Sequence, residues 1–462
     1  MMKTFQDRIK DVTTKGWISC GVWCAIYIAF VVWVAWGDWA SLGWLVLLPI
    51  IADMFTTKYI PWNWWKKYKP LTKEEEAEGK KNPHANATLY TICSWMDAIV
   101  FALVAVYFIN VYIFQNYQIP TSSLEKTLRV GDFLCVNKMA YGARVPNTPL
   151  SMPLVQHTFP WGGKSYIENP QWKYKRLKGW DKVEKGDIVV FNFPTGDTVC
   201  TKMPNPDIYT LRHIYGKRTV ENRKDFFGEI VVRPVDRREN YVKRCVGTPG
   251  DTLQIIDNVV YIDGKAEPVH PYLQYNYLVK TDGQVLTNTY LRELGISKED
   301  LATEQKNIIK GCYRLPLTTE MKAKLAKNPH VRSIDIEPEV LGGDVYPLGH
   351  NTWTRDNYGP IYIPAKGDTV MITEENFWVY KRIADAYEFK SIKIGEPYVF
   401  EMDYYWMMGD NRHKSADSRY WGFVPEDHIV GRPMFVWLSI EKDYPWGKGH
   451  IRWKRIGLSN FE

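Results

Sequence analysis

The chain has 462 residues, 45% of them hydrophobic, with 20 Trp and 29 Tyr; this exceeds one ordinary core and fits bilayer contact joined to a large β-rich part. A mean hydropathy of −0.33 keeps most of the chain in water. The net charge of +7 raises nucleic acid as a partner, but the lysines are scattered or flank apolar segments, and no basic-aromatic stripe accompanies them, so positive-inside placement at a membrane explains the charge and nucleic acid is excluded.

Three apolar segments open the chain. Trp17 to Trp36 is uncharged and meets the roughly 20 residues that a bilayer core asks of a helix. Leu42 to Ile60 carries Pro49 and Asp53, which leaves a buried or interfacial hairpin open beside a second crossing. Leu89 to Phe114 has one acid, Asp97, near its start. The reading is a membrane anchor over 1–115 with three transmembrane helices, 17–36, 42–60 and 89–114. Seven lysines (58, 66, 67, 69, 73, 80, 81) place the loop 61–87 on the cytoplasmic side. Lys3, Arg8, Lys10 and Lys15 put the N-terminus there too, and everything after Phe114 outside. The first apolar run is already of spanning length with no small-x-small site after it, so it does not read as a cleavable signal peptide. Asp53 and Asp97 fall near the cytoplasmic ends and read as helix-packing groups rather than a proton relay.

From Asn116 onward short β-branched and aromatic runs alternate with turn residues: 133–136, 187–191, 253–256, 259–262, 369–372 and 435–438. Pro249-Gly250 and Asp263-Gly264 are hairpin signals. Between about 284 and 351 the texture turns helical, with a capping box at Ser297 to Asp300 and a helix expected over Thr318 to Lys327. The fold class is therefore membrane-anchored and mainly β: N-terminal transmembrane helices, then a β-rich exported domain in two parts, 116–256 and 395–462, around a partly helical insertion, 257–394. Cys135, Cys200, Cys245 and Cys312 match no metal or bridge spacing and read as buried thiols.

Ser123 lies just beyond the third apolar segment. Its hydroxyl needs a base, because it stays protonated at neutral pH. No histidine adjoins it or completes a recognisable triad order; His413, in a dense polar loop, is the histidine candidate. The alternative base is a lysine, and Tyr241-Val-Lys-Arg-Cys offers one. In an extended segment Tyr241, Lys243 and Cys245 share a face and Arg244 points away. Serving as a base near neutrality asks Lys243 to titrate about 2 to 4 units below its usual 10.4, which desolvation can supply. A hydroxyl to direct that lysine is available in the polar segment 408–425, where Asp417 and Arg419 can pair. Taken singly, a serine at a helix exit is a cap and a strand lysine faces solvent.

Together the motifs carry a resemblance. Ile119-Pro-Thr-Ser-Ser-Leu, Lys185-Gly-Asp-Ile-Val-Val-Phe191, Tyr241-Val-Lys-Arg with Gly247-Thr-Pro-Gly-Asp251, and Gly409-Asp-Asn-Arg with Ser415-Ala-Asp-Ser-Arg419 follow the order of the motif boxes of bacterial type I signal peptidase. The resemblance implies a β-rich serine endopeptidase that removes signal peptides from exported preproteins after small residues. It implies Ser123 as nucleophile, Lys243 as general base, and Ser415 orienting the lysine. The Ser123 N–H and the Thr121 hydroxyl form its oxyanion hole, Asp417 and Arg419 support the site, and Ile119, Leu128 and Val242, with Tyr117 and Tyr241 close by, line the substrate pockets. No metal or organic cofactor is implied. The partners implied are the signal peptides of preproteins, the phospholipid membrane and the secretion machinery. The place implied is the bacterial inner membrane, multi-pass, with the catalytic domain on its periplasmic or outer face. A Ser-Lys processing protease acting on a narrower substrate, or on itself, is the alternative. Departures are Leu124 for the usual Met, Lys126 for the common Pro, three spans rather than two, and the long 257–394 region.

Overall fold

The structure, a computed structural model, describes residues 5–34, 45, 47–58, 60, 64–194, 198–203, 206–297, 300–301, 311–339, 344–441, 444, 446–447 and 449–461. The chain forms two compact units. The first holds residues 1–112 with the short pieces 152–154 and 176–178; the second holds the remainder to residue 462.

In the first unit, two helices are long and apolar enough to cross a membrane, Thr14–Val32 and Ala87–Ile113. The first belongs to a 21-residue helix, Thr14–Val34, about 31 Å long at 1.5 Å per residue. The second begins at the Asn86 side chain, which accepts the Leu89 N–H at 3.0 Å as an N-cap. It tightens into a π-helical turn over Ile109–Ile113 and passes straight into a strand at Phe114. These two helices correspond to the segments expected at 17–36 and 89–114. Of the expected span 42–60, residues 42–44, 46 and 59 lie outside the described residues. The helix described there, Leu48–Phe55, has eight residues and starts at Pro49, about 12 Å against a bilayer core of about 30 Å. It packs back on Thr14–Val34, with the rings of Trp23 and Phe55 stacked at 6.1 Å.

The second unit is built on a seven-stranded sheet. In chain order the strands are β1 (Phe114–Gln118), β2 (Asp132–Asn137), β3 (Ile188–Asn192), β4 (Asn240–Gly247), β5 (Tyr404–Met408), β6 (Val424–Pro425) and β7 (Ile429–Ser439). Their order in space is β1-β2-β7-β3-β4-β5-β6, and every neighbouring pair is antiparallel. β3 is buried along its whole length. The period of two sends Ile188 and Val190 into one apolar cluster, with Leu134 and Val436, and sends Val189 and Phe191 into another, with Cys245 and Trp421. β4 divides the same way, Val242 to the first cluster and Tyr241 and Cys245 to the second.

A second antiparallel sheet joins Tyr358–Tyr362, Thr252–Ile256, Val259–Ile262 and Lys265–Ala266. Its two-residue turns at Asp257-Asn258 and Asp263-Gly264 have positive φ at both positions, the geometry that favours Asp, Asn and Gly there. The expected insertion, 257–394, divides in two. A three-stranded sheet (Cys312–Leu317, Tyr275–Thr281, Val331–Ile336) with the helices Asn288–Leu294 and Thr319–Leu325 encloses its own apolar cluster. By contrast Val345, Tyr358, Ile363, Ile383 and Tyr398 share one cluster with Val246, Leu253 and Trp406, so this later stretch is part of the main core. Three short helices between Ile208 and Phe227 were not foreseen; Ile208, Leu211, Val220 and Phe227 cover Cys200. All seven cysteines are free thiols.

Candidate active site

Two loops and one strand converge on Ser123. After β1 the chain leaves the ladder at Ile119-Pro120, and Ser122–Leu124 closes into a 3₁₀ turn. That turn is held from the loop after β5. The Asn411 N–H donates to the Ser123 carbonyl at 3.0 Å, and the Asn411 side-chain amide donates to the Ser122 carbonyl at 3.2 Å. Gly409 sits against the same turn: a Cβ there would stand 2.6 Å from the Ser123 carbonyl oxygen and 2.2 Å from Ser415 Oγ.

Lys243 reaches this point from β4, where Val189 pairs with it from β3. Its Nζ donates to Ser123 Oγ at 2.6 Å, and both side chains are buried. Removal from water pushes the Lys243 pKa down to about 8, helped by the Arg419 guanidinium and opposed by the Asp417 and Asp410 carboxylates. The Tyr241 ring lies 5.8 Å from the ammonium. A lysine so placed exists largely protonated at pH 7 but supplies an appreciable neutral fraction, and its hydrogen bond is already aimed at the hydroxyl it would deprotonate.

Two buried ion pairs frame the loop after β5. Arg419 binds Asp417 through Nε at 2.9 Å and Nη2 at 2.8 Å, and Asp417 accepts the Gly409 N–H at 3.1 Å. Arg244, on the opposite face of β4 from Lys243, binds Asp410 through Nε and Nη2, each at 2.8 Å, and Thr127 Oγ1 donates to the same carboxylate at 2.6 Å. Burial favours the neutral acid, but the paired guanidinium groups win and hold both carboxyls below the usual aspartate range.

The remaining residues singled out in the sequence are distributed as follows. Ser415 Oγ is buried and lies against Gly409; it helps keep Asp417 ionised, yet it makes no hydrogen bond of ordinary geometry, to Lys243 or to any other group. Thr121 is exposed, with extended backbone, immediately before the turn. Ile119 and Leu128 are buried in one cluster, with Tyr117 and Val242 packed on it. Tyr241 belongs to the other, its ring stacked on Phe193 at 4.4 Å. His413 is engaged elsewhere: its Nε2 lies 3.1 Å from Asp356 Oδ1, and its Nδ1 accepts the Asn276 N–H at 3.2 Å. Gly409, Asn411, Asp410, Arg244 and Thr127 were missed as site residues, although four of them stand inside the quoted motifs. Two lysines also join the loops to the three-stranded module: Lys126 Nζ donates to the Gly295 carbonyl, and Lys414 pairs with buried Asp300 at 3.0 Å.

A family model described as signal peptidase, peptidase S26, matches residues 92–319 and 363–438. Signal peptidase I of Buchnera aphidicola subsp. Acyrthosiphon pisum is 24% identical over 359 residues, covering 76% of this chain and 77% of that one. Signal peptidase I of Haemophilus influenzae is 25% identical over 382 residues, with 80% and 75% covered, and that of Aquifex aeolicus is 25% identical over 337 residues, with 73% and 80% covered. A solved signal peptidase I from Enterococcus faecalis V583 aligns at 15% identity over 55% of this chain and 97% of that one, with a TM-score of 0.17, a likeness too loose to bear on the fold.

Proposed function

Since the chain belongs to the signal peptidase family, peptidase S26, and is a peptidase, we propose that it cleaves N-terminal signal peptides from exported preproteins with Ser123 and Lys243 as its catalytic pair. The observation that carries this reading is the 2.6 Å hydrogen bond from Lys243 Nζ to Ser123 Oγ within a buried setting that lowers the lysine pKa to about 8.

In the proposed reaction neutral Lys243 takes the hydroxyl proton as Ser123 Oγ attacks the scissile carbonyl. The oxyanion is received by the Ser123 N–H and the Thr121 hydroxyl. Lys243 then returns the proton to the departing amine, and a water deprotonated by the same lysine hydrolyses the acyl-enzyme. Ser415 makes no hydrogen bond to Lys243 in this structure, so positioning the ammonium asks its buried hydroxyl, now beside Gly409, to turn toward Nζ. The substrate runs extended beside β1 and β4, and the apolar side chains of Ile119, Leu128 and Val242 favour small residues at the cut. The helices Thr14–Val34 and Ala87–Phe108 anchor the protein in the bacterial inner membrane, with the lysine-rich loop between them in the cytoplasm and the peptidase on the outer face; two crossings put the N-terminus on the outer face as well, where the three-span reading had it in the cytoplasm.

The test is to incubate detergent-purified protein with an exported preprotein and read the new N-terminus by sequencing. Wild type is expected to cut after a small residue, and Ser123→Ala and Lys243→Met each to reduce the rate by about 10⁴. Cleavage of the chain itself with the preprotein left intact would replace this reading with that of a self-processing protease.

A further inference from the structure

A cavity of about 450 Å³ lies where the three-stranded module meets the main core, with Tyr275 and Tyr277 on one side and Val259 and Pro268 on the other. Arg412 lines it. This side chain is 6% exposed, its Nε is sealed from solvent without a hydrogen-bond partner, and among the described residues no ion pair holds its guanidinium. Its neighbours account for the nearby acids: Arg244 occupies both oxygens of Asp410, and Arg419 both oxygens of Asp417. Three guanidinium groups thus share two carboxylates, and the unmatched charge is the one at the cavity. A buried cation without a counterion is unfavourable, and a guanidinium is built to receive an oxyanion through two parallel hydrogen bonds.

We propose that this cavity binds a small organic monoanion, a carboxylate or a phosphate diester, whose charge pairs with Arg412 and whose apolar part lies against Tyr275, Tyr277 and Pro268. The volume is that of an ordinary small-molecule site. Lys185 on the wall is already paired with Asp251 at 3.4 Å, while Asp257 and Glu267 also reach the cavity and disfavour a ligand of higher charge. Arg412 follows Asn411 in the chain, and its own N–H donates to the Gln274 carbonyl at 2.9 Å, so an occupant ties the loop that grips the Ser122–Leu124 turn to the three-stranded module.

Thermal unfolding of the protein in detergent, followed by tryptophan fluorescence, tests this with benzoate, methyl phenyl phosphate and the neutral isostere benzamide at matched ionic strength. A saturable rise in Tm is expected with benzoate or methyl phenyl phosphate, the comparison distinguishing the two anion classes, and none with benzamide. Arg412→Gln should weaken the apparent affinity at least tenfold. Val269→Glu, at a 64% exposed position on the cavity wall, should weaken it too, and it decides the matter where Arg412→Gln does not fold. No saturable shift with either anion, or unchanged affinity in Val269→Glu together with a folded Arg412→Gln, overturns the proposal.

Discussion

Asn411 and Ser123 are joined through the backbone, the Asn411 N–H donating to the Ser123 carbonyl at 3.0 Å, so the proposed nucleophile turn takes its position from a loop 288 residues later in the chain. Gly409 makes that approach possible. Gly409→Ala would put a methyl group 2.6 Å from the Ser123 carbonyl and 2.2 Å from Ser415 Oγ. The hydroxyl can rotate away, but the carbonyl belongs to the backbone and has to move. A displacement approaching 1 Å lowers turnover by about 10²-fold. Peptide cleavage should fall by that order while circular dichroism still reports a folded protein; an unimpaired variant would show that the contact does not set the geometry.

The rate should follow the titration of Lys243. Its pKa is about 8 and the base form is the active one, so kcat/KM should climb through mildly acidic and neutral pH and level off above about 8. Lys243→Met should remove a pH-dependent stability penalty. The folded state disfavours the ammonium, and lowering its pKa from 10.5 to about 8 corresponds to about 3 kcal/mol at 1.36 kcal/mol per unit. The unfolded chain binds the extra proton, so wild-type stability rises with pH between about 8 and 10.5 and is fully penalised below 8. Urea melts should find Lys243→Met the more stable protein at pH 7, with the gap closing by pH 10.5.

Asp417→Asn separates two effects of one carboxylate. Removing a partner from a buried ion pair leaves Arg419 uncompensated, at about 3 to 5 kcal/mol. The same carboxylate raises the Lys243 pKa, so its loss should move the midpoint of the rate profile to lower pH. A lower Tm with an unmoved midpoint would reduce Asp417 to a structural role.

His413→Ala distinguishes a lysine base from a histidine base. The imidazole lies against Asp356 and Asn276, and losing it should cost about 1 to 3 kcal/mol through the buried groups it leaves unpaired. Activity per folded molecule should persist, with the midpoint still near 8. Loss of the chemistry in a folded variant would return the base role to histidine.

The sequence made the strands visible where period-two patterns met turn residues: 133–136 and 259–262 fall within strands, and 187–191 is offset by one residue from Ile188–Asn192. The Asp263-Gly264 turn was legible from its glycine; Asp257-Asn258 makes the same left-handed turn without one. Taken singly Ser123 and Lys243 read as a helix cap and a strand lysine; they stood out because the motifs that carry them follow the family's order. Gly409 and Asn411 did not, since their work is contact with a backbone far away in the chain, which no local pattern encodes. The 257–394 segment misled for a related reason: the helical texture near 288–325 is genuine, but Val345 and Ile383 belong to the same cluster as Val246 and Leu253, more than ninety positions earlier in the chain.

The strand order also sets a timetable for synthesis. β2 does not pair with β3; both pair with β7, which is Ile429–Ser439. The half of the sheet that leads into Ser123 and the half that carries Lys243 are therefore bridged by the last strand to be made. Synthesis has to reach Ile429–Ser439 before this sheet can close, so a polypeptide that stops short of it carries Ser123 and Lys243 on two halves that the sheet does not yet join.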